Sequence, residues 1–372
     1  MPRRSRRLNL PHLLDGLSDD LVLLLFSRVP FVTHGTLHVV CRRLKTLLRS
    51  REFRQQRVDS GLAEYGLVVA GGYANGEATA DCSMLTKARW FPPALSARHL
   101  RGAAMAPLSH PRAFAYSAVV EDEDGQPELW VMGGENRRPY AIYLWTVEAY
   151  NPRTNTWRSC LPLSQPRAGA IAGVVGGRLV IAGGCAPFAP LTSVEAYTPT
   201  GWAPLPPLPH AANGATACVL RGQLYVMGGW DSNKLQVLAM SEENQFSWTV
   251  KAELPAARRG AASVAHEGKI WLIGGYVTTG FSEGRAIWDI ADDDNSASVV
   301  IYDIGSDSWD TGPALPRASL VAHPNPFVRN GEICVIAHDS VWVCRNGTWM
   351  GAAGMPGGHG MPYLAVEYLR LG

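Results

Sequence analysis

Several widespread signatures are missing from this sequence of 372 residues, and each absence argues against one class of protein. No apolar run approaches the roughly 20 residues that a membrane-spanning helix needs. None of the seven cysteines forms a C-x-x-C pair, so neither a zinc ribbon nor a disulfide framework is indicated. A P-loop, a G-x-S-x-G turn and an H-E-x-x-H helix are also lacking, which leaves P-loop hydrolysis, serine hydrolysis and zinc proteolysis without support.

An excess of charge of one sign is missing as well. The 34 basic and 32 acidic residues leave a net charge of +2, which predicts no nucleic-acid partner and no membrane partner. The cysteines are scattered through apolar runs, as small buried residues are, so we expect a reducing compartment: cytoplasm, nucleus or both. His34 and His38 are four residues apart without a third ligand, and the sequence predicts neither a metal site nor a cofactor.

What the sequence does contain is one recurring phrase, an apolar run that ends in a pair of glycines. Successive pairs begin at Gly133, Gly183, Gly228 and Gly274, which are 50, 45 and 46 residues apart, and an earlier pair begins at Gly71. A fixed period near 50 residues indicates a repeat architecture. Paired glycines at a strand end also indicate positive φ or the close approach of another backbone.

Every repeat has the parts of a four-stranded antiparallel sheet. Two apolar strands joined by a short turn end at the glycines, an aromatic strand follows, and a Trp precedes a Pro-rich exit. This tryptophan recurs as Trp157, Trp202, Trp248, Trp309 and Trp349. One such sheet cannot cover its own faces, whereas a radial array covers them and leaves only short edges. We therefore predict a mainly β fold, a six-bladed β-propeller, with seven blades as the alternative.

The two ends of the repeat region are incomplete, and they complement each other. The first repeat lacks an opening strand before Leu67, while the chain offers a spare strand near residues 363–369. Pairing the two would close the ring and remove open edges. The predicted division of the chain is a basic disordered N-terminus at 1–12, a helical module at 13–58, a linker at 59–66 and the propeller at 67–372.

The residues before the repeats have a helical pattern. Ser18 suits an N-cap, with two aspartates in the first turn, and Val29-Pro30 would end this helix. A second helix is predicted from about Thr36 to Arg49, with apolar residues along one side. About forty residues cannot bury so many apolar side chains. A partner surface is therefore expected, and packing against the propeller is the alternative.

These patterns resemble known families. The glycine pairs, the phrase Val-Glu-Ala-Tyr-Asn-Pro at 147–152 and the following Trp157 resemble kelch repeats over about residues 65–372. The phrase from Leu13 to Leu21, followed by Val-Cys-Arg-Arg-Leu at 40–44, resembles an F-box. Leu44 stands where that family usually has Trp. Taken together, the chain resembles the plant-type F-box/kelch-repeat proteins.

The resemblance implies a non-enzymatic substrate receptor of an SCF-type cullin–RING ubiquitin ligase. The F-box would dock on a Skp-type adaptor, and the propeller would hold a target protein close to the subunits that transfer ubiquitin. The positions that match the family's adaptor contacts are Leu17, Leu21, Leu24, Pro30, Leu37, Val40 and Leu44. Two alternatives stay open. One is a kelch-scaffold copper oxidase, with His, Tyr and Cys ligands at one end of the channel; the other is an interaction scaffold without a ligase role.

Two sets of loops are expected on one face of the propeller. The loops between blades carry cationic residues, including Arg259 beside Arg258, and these would suit an acidic peptide or phosphate. The alternative is that each Arg bonds the carbonyl groups of a neighbouring blade. The loops after the glycine pairs vary in length, as binding loops do. The candidate target-binding residues are Arg112, Arg167, Arg258, Arg317, His359, Arg137, Tyr73, Phe188, Trp230 and Tyr276.

Overall fold

The computed structural model covers most of the propeller and parts of the helical module. It describes residues 17–26, 28–29, 41–48, 50–60, 65–74, 77–86, 103–122, 126–137, 141–187, 189–230, 232–282, 285–288, 297–316, 325–329, 331–337, 340–354 and 365–370. The predicted disordered segment 1–12 lies outside these residues, as does the first part of the predicted second helix. The same holds for six candidate site residues: Pro30, Leu37, Val40, Phe188, Arg317 and His359.

Three helices are described in the N-terminal module: α1 (Asp19–Phe26), α2 (Arg42–Leu47) and α3 (Arg51–Asp59). The N-cap of α1 is the predicted one, because the Oγ of Ser18 accepts a hydrogen bond from the backbone N–H of Leu21 at 3.3 Å. The helices meet in a small apolar core, whose buried members are Val22, Leu23, Leu44, Leu48 and Phe53. These segments are stable as helices because the apolar residues of each one pack into that core.

The helix α3 was not predicted, since its nine residues are strongly polar. Phe53 is buried in the module core. Arg57 is also buried, and its Nη1 donates to the carbonyl oxygen of Val29 at 2.8 Å. The charged side chain of Arg57 therefore connects α3 to the residues that follow α1. A pattern of apolar residues in the sequence does not reveal such a contact.

Within the part of the chain that the structure describes, six four-stranded antiparallel sheets follow one another, here called blades 1 to 6. Blade 1 consists, from the channel outward, of Ala365–Arg370, Tyr65–Ala70, Cys82–Thr86 and Ala103–Ala104. Blade 2 consists of Tyr116–Glu121, Pro127–Met132, Val147–Asn151 and Thr156–Cys160. Blade 3 consists of Ile171–Val175, Arg178–Ala182, Val194–Thr198 and Gly201–Leu205.

The remaining blades have the same order. Blade 4 consists of Thr216–Leu220, Gln223–Met227, Leu235–Met240 and Phe246–Val250. Blade 5 consists of Ala262–His266, Lys269–Ile273, Val299–Asp303 and Ser308–Thr311. Blade 6 consists of Asn325–Arg329, Glu332–Ala337, Ser340–Arg345 and Thr348–Gly354. The predicted mainly β propeller is confirmed, and five of its blades carry the glycine pair after their second strand.

Both ends of the propeller sequence contribute to blade 1. Tyr65–Ala70 pairs antiparallel with Ala365–Arg370, so that Leu67 lies opposite Tyr368. The innermost strands of successive blades contact each other, and Ala365–Arg370 contacts those of blades 2 and 6. The ring is therefore closed by the end of the chain, which covers the edge that blade 1 would otherwise expose.

The second strand of a blade is apolar along its length because neighbouring blades cover both of its faces. All six residues of Pro127–Met132 are buried. Leu129 and Val131 face the core shared with blade 1, whereas Trp130 and Met132 face the core shared with blade 3. Alternation of polar and apolar residues is consequently lost in these strands, and the glycine pair becomes the clearer mark of the repeat.

The recurring tryptophans join each blade to the chain that leaves the preceding one. The indole N–H of Trp157 donates to the carbonyl oxygen of Ala106 at 2.8 Å. The equivalent bonds link Trp202 to Leu161, Trp248 to Pro206, Trp309 to Ala252 and Trp349 to Pro313, at 2.7 to 3.0 Å. Each Trp thus combines a large packing surface with a specific hydrogen bond between consecutive repeats.

Short hairpins follow the glycine pairs and stand on one face of the ring. They are formed by Tyr73–Ala74 with Glu77–Ala78, Glu135–Arg137 with Ala141–Tyr143, and Cys185–Ala186 with Ala189–Pro190. In blade 5, Tyr276–Ser282 pairs with Arg258–Arg259 on one side and with Arg285–Trp288 on the other. The candidate residues Tyr73 and Arg137 lie in these hairpins.

Candidate functional site

The paired glycines connect each blade to the next. The N–H of Gly72 donates to the carbonyl oxygen of Arg112, which precedes blade 2, at 2.8 Å. Both glycines of this pair have positive φ, 72° at Gly71 and 99° at Gly72. A Cβ at Gly71 would lie 2.5 Å from the same carbonyl oxygen. Positive φ and a close backbone approach, the two reasons predicted for the pair, are both confirmed.

Three of the candidate cations are buried in these connections between blades. Arg112, Arg167 and Arg258 are 0, 1 and 5% exposed. Arg112 donates to two backbone carbonyl oxygens of blade 2, each at 3.0 Å, and to Glu148 at 2.5 Å. Arg167 bonds blade 3 in the same way and reaches Glu195 at 2.8 Å. The prediction that these three form the target-binding face is wrong, because their guanidinium groups are held inside by the blades; the structural alternative is the correct one.

Charge is largely balanced within the buried pairs. Burial lowers the pKa of Arg112, although Glu148 opposes that effect. Burial alone would raise the pKa of Glu148, but the backbone N–H of Ser109 and the guanidinium of Arg112 outweigh it, and this pKa is lowered. The lowered pKa keeps the Glu148 carboxylate ionised at neutral pH, where it faces the Arg112 guanidinium.

Blade 4 replaces both members of the pair with uncharged residues. Ala212 stands where the arginine would be, and its carbonyl oxygen accepts from the N–H of Gly184 at 2.7 Å. Gln236 stands at the glutamate position and exchanges two hydrogen bonds with the backbone of His210, at 2.8 and 3.1 Å. The neutral amide bonds the segment that enters blade 4 without a buried charge.

Blade 5 keeps the arginine and loses the glutamate. Arg258 donates to the carbonyl oxygens of Gly274 and Ser298 and to the Ser298 hydroxyl, at 2.8 to 3.0 Å. Val300 stands at the glutamate position, opposite Leu272. Among the described residues no carboxylate pairs with Arg258. Burial lowers the pKa of Arg258 to about 10, so this side chain is still charged at neutral pH.

Around the mouth of the central channel, blades 2 to 5 each bring two residues together. In each case, the residue that follows the two glycines lies beside a residue of the segment that leads into the same blade. The pairs are Ala113 with Glu135 in blade 2, Ala168 with Cys185 in blade 3, Asn213 with Trp230 in blade 4, and Arg259 with Tyr276 in blade 5. Because these positions vary while the surrounding joints repeat, the pairs give each side of the mouth a different chemistry.

Blades 4 and 5 contribute a stacked cation and two aromatic rings, here called the mouth cluster: Trp230, Arg259 and Tyr276. The Cζ of Arg259 lies 3.5 Å from the centre of the Trp230 ring and 5.1 Å from that of Tyr276. Trp230 is 46% exposed, whereas Arg259 and Tyr276 are half-buried. Stacking of this kind contributes about 0.5–2 kcal/mol and fixes the plane of the guanidinium group.

A cavity of 880 Å³ opens beneath the mouth cluster, between the innermost strands of blades 2 to 5. Its walls carry mostly small side chains, and the hydroxyls of Thr216 and Ser263 lie 3.0 Å apart on them. Glu135 lines the opposite side of the mouth and is 4% exposed. Of the sequence candidates, Trp230 and Tyr276 are brought together here; Glu135, Cys185 and Asn213 were missed, and aligning the repeats position by position would have found them.

The helix α1 presents apolar side chains at its surface. Leu21, Leu24 and Leu25 are 41, 46 and 52% exposed, whereas Val22 and Leu23 are buried in the module core. Exposed leucines at successive positions of one short helix form a patch that a soluble surface normally avoids. The predicted contacts Leu21 and Leu24 are thus available to a partner.

Two other predicted adaptor contacts lie deeper in the module. Leu44 is fully buried at the centre of the helical core, and Leu17 is half-buried against it. The prediction that Leu44 contacts the adaptor directly is wrong for this structure, because no part of its side chain reaches the surface. Leu44 supports the helices from within.

The described residues hold neither a metal-binding cluster nor a membrane-spanning helix. No three His, Cys, Asp or Glu side chains come together there in a way that could hold a metal ion. The helices within that part of the chain are all too short or too polar to cross a bilayer. Cys185 and Tyr276 both line the mouth and are of residue types that the copper-oxidase alternative needs, but the described residues do not gather histidines around them.

Comparison with known families gives two matches. The F-box domain matches residues 14–56, and the Kelch motif matches residues 126–163 and 211–238. The first range contains α1, α2 and the first part of α3, and the other two lie in blades 2 and 4. The solved structure of YjhT superposes with a TM-score of 0.56 at 14% identity, over 77% of this chain and 97% of that one, which supports the fold alone.

Curated relatives are named for one or both of these domains. An F-box/kelch-repeat protein of Arabidopsis thaliana is 28% identical over 58% of this chain and 48% of its own length. The F-box protein AFR of the same plant is 24% identical over 59% and 56%, and human Kelch-like protein 33 is 36% identical over 27% and 20%. The chain therefore spans between a fifth and just over half of these relatives. The chain thus carries an F-box domain followed by Kelch motifs and is homologous to F-box/kelch-repeat proteins of Arabidopsis.

Proposed function

We propose that this chain is the substrate-recognition subunit of an SCF-type cullin–RING ubiquitin ligase. An F-box followed by a kelch propeller is the architecture of such a receptor. In this proposal the F-box docks on a Skp-type adaptor, the propeller binds a target protein, and the chain itself performs no catalysis. Its contribution to ubiquitin transfer is the high effective concentration of a bound target.

The observation that carries the proposal is the exposed apolar patch on α1. Leu21, Leu24 and Leu25 stand out at the surface of the domain that matches the F-box. Burying three leucines in an interface would contribute several kcal/mol, since each fully buried side chain contributes about 1.5–3 kcal/mol. All seven cysteines are unpaired, which fits a reducing compartment, the cytoplasm or the nucleus.

Adaptor capture tests the proposal. We expect the wild-type chain to retain a purified Skp-type adaptor in a pull-down, and the double variant Leu21→Arg, Leu24→Arg to retain at least about tenfold less, because two charges would have to be buried. Both positions are exposed, so the variant should keep the melting temperature of the wild-type chain.

Ile142→Arg is the matched control, since Ile142 is 54% exposed on the propeller and its replacement adds the same charge to an apolar surface position. The control should capture the adaptor as the wild type does. Equal capture by the double variant would remove α1 as the docking surface. No capture by the wild type would favour the interaction scaffold without a ligase role.

A further inference from the structure

We propose that blade 5 binds a small dissolved anion, chloride or a simple carboxylate, against Arg258, at the position where blades 2 and 3 place a glutamate. The site lies in the joint where the chain enters blade 5. The inference goes beyond the proposed function, because it concerns which solute stabilises this propeller and not which target the propeller binds.

The repeat defines the position of this site. Glu148, Glu195, Gln236 and Val300 are equivalent, because each lies opposite the residue two positions before the glycine pair of its blade. In blades 2 to 4 the side chain accepts a hydrogen bond from a backbone N–H of the segment that enters the blade, at 2.7 to 3.0 Å. Val300 has no polar side-chain atom, so among these four blades only blade 5 supplies no oxygen here.

Arg258 keeps the donors that such an oxygen would use. In blades 2 and 3 the arginine Nη2 makes two hydrogen bonds, one to a hydroxyl and one to the glutamate. The Nη2 of Arg258 bonds the Ser298 hydroxyl at 2.8 Å, and within the described residues it has no second acceptor. Its buried Nε has no hydrogen-bond partner there either. The Nε–H and one Nη2–H of a guanidinium group are parallel, so together they can hold one anion.

A backbone donor belongs to the same position. His210 of blade 4 and Ala256 of blade 5 both follow a proline and stand two residues before the position of the repeated arginine. The N–H of His210 donates to Gln236 at 2.8 Å. The N–H of Ala256 is its counterpart, and no backbone carbonyl of the described residues accepts from it. An anion at Arg258 would therefore have a third donor in Ala256.

An anion suits this position better than a water molecule does. Arg258 is 5% exposed, and burial lowers its pKa to about 10, so the charge persists at neutral pH. Water would accept from the donors but leave the charge uncompensated, which is costly in the interior. Glu148 and Glu195 compensate the equivalent charges in blades 2 and 3. Ala256 is half-buried, which places the site close enough to the surface for a small ion to enter.

Thermal unfolding of the full chain at constant ionic strength tests this inference. The probes are sodium chloride and sodium formate, and sodium gluconate, whose anion is too large for the place of one carboxyl group, makes up the rest of the salt. We expect the melting temperature of the wild type to rise by about 2–4 °C between about 1 and about 300 mM of the probe and then to level off, as binding at one site requires. The probe that acts at the lower concentration distinguishes a spherical anion from a carboxylate.

Replacing the valine supplies the missing group. Val300→Glu should melt about 2–4 °C above the wild type without probe and should lose the response to both probes, because its own carboxylate occupies the site. Val300→Gln copies blade 4 and should lose the response as well, which keeps the test decisive if the glutamate variant does not fold. Val250→Glu is the matched control, since it makes the same exchange at a position of blade 4 that is 47% exposed, and it should respond as the wild type does.

Two results would overturn the inference. One is a wild-type melting temperature that depends on neither probe, as expected if water alone occupies the position. The other is a response that persists unchanged in the Val300 variants, which would place the binding of the anion elsewhere on the chain. Adaptor capture by the same preparations is a separate measurement, so the ligase assignment does not depend on either result.

Discussion

Two consecutive arginines in blade 5 show how position decides the role of a residue. Arg258 is buried and bonds the backbone of its blade, whereas Arg259 stacks on Trp230 at the channel mouth. Both belong to a short strand, in which successive side chains point to opposite sides. One residue of register therefore separates an arginine that holds the blade together from one that lies at the channel mouth.

The buried Arg–Glu pairs are expected to act as units. Removing one partner leaves the other charge unpaired in the interior, which lowers the free energy of unfolding by about 3–5 kcal/mol. Blade 4 has Ala212 and Gln236 at the same two positions, so the fold accepts the loss of both charges together.

We predict that Arg167→Ala and Glu195→Gln each lower the free energy of unfolding by about 3–5 kcal/mol, and that the double variant loses at least about 1 kcal/mol less than their sum. Urea denaturation measures all three. Gln236→Glu in blade 4 is the control: it introduces the carboxylate without an arginine and should destabilise. Strictly additive losses in blade 3 would show that the two side chains do not depend on each other.

At the scale of the element, the tryptophan on the outermost strand joins one repeat to the next. The indole of Trp157 packs against the ring of Tyr150, with centroids 5.1 Å apart, and bonds the carbonyl oxygen of Ala106. The sequence predicted the packing because a Trp recurs at each repeat. It could not predict the hydrogen bond, since the acceptor is a backbone oxygen about fifty residues earlier.

We predict that Trp157→Phe lowers the free energy of unfolding by about 1–3 kcal/mol, because the phenyl ring keeps part of the packing and leaves the partly buried carbonyl oxygen of Ala106 without its donor. Trp145→Phe is the matched control, as Trp145 is 55% exposed, and it should change stability by less than about 0.5 kcal/mol. Equal effects of the two changes in urea denaturation would contradict a special role for the hydrogen bond.

At the scale of the whole molecule, a closed ring carries a variable mouth, and a separate helical module carries an apolar patch. The ring was predictable because its period, its glycine pairs and its spare terminal strand are all visible in the amino-acid sequence. The mouth was only partly predictable. Trp230, Tyr276 and Arg259 were named from the loops, but their association depends on the contact between blades 4 and 5, which no local pattern encodes.

The arginines that repeat were misjudged for a physical reason. A periodic cation suggests a ring of charge, yet a residue that recurs from blade to blade serves what is common to those blades, and here that is the joint between them. Residues that differ between blades, such as Glu135, Cys185, Trp230 and Tyr276, line the cavity instead.

Hydrogen–deuterium exchange of the full chain, with and without a saturating Skp-type adaptor, tests the central claim most directly. The account predicts slower exchange at the amides of α1, which carries the exposed leucines, and unchanged exchange in the innermost strands of blades 2 to 5. Protection confined to the blades, or unchanged exchange of α1 in the presence of bound adaptor, would contradict it.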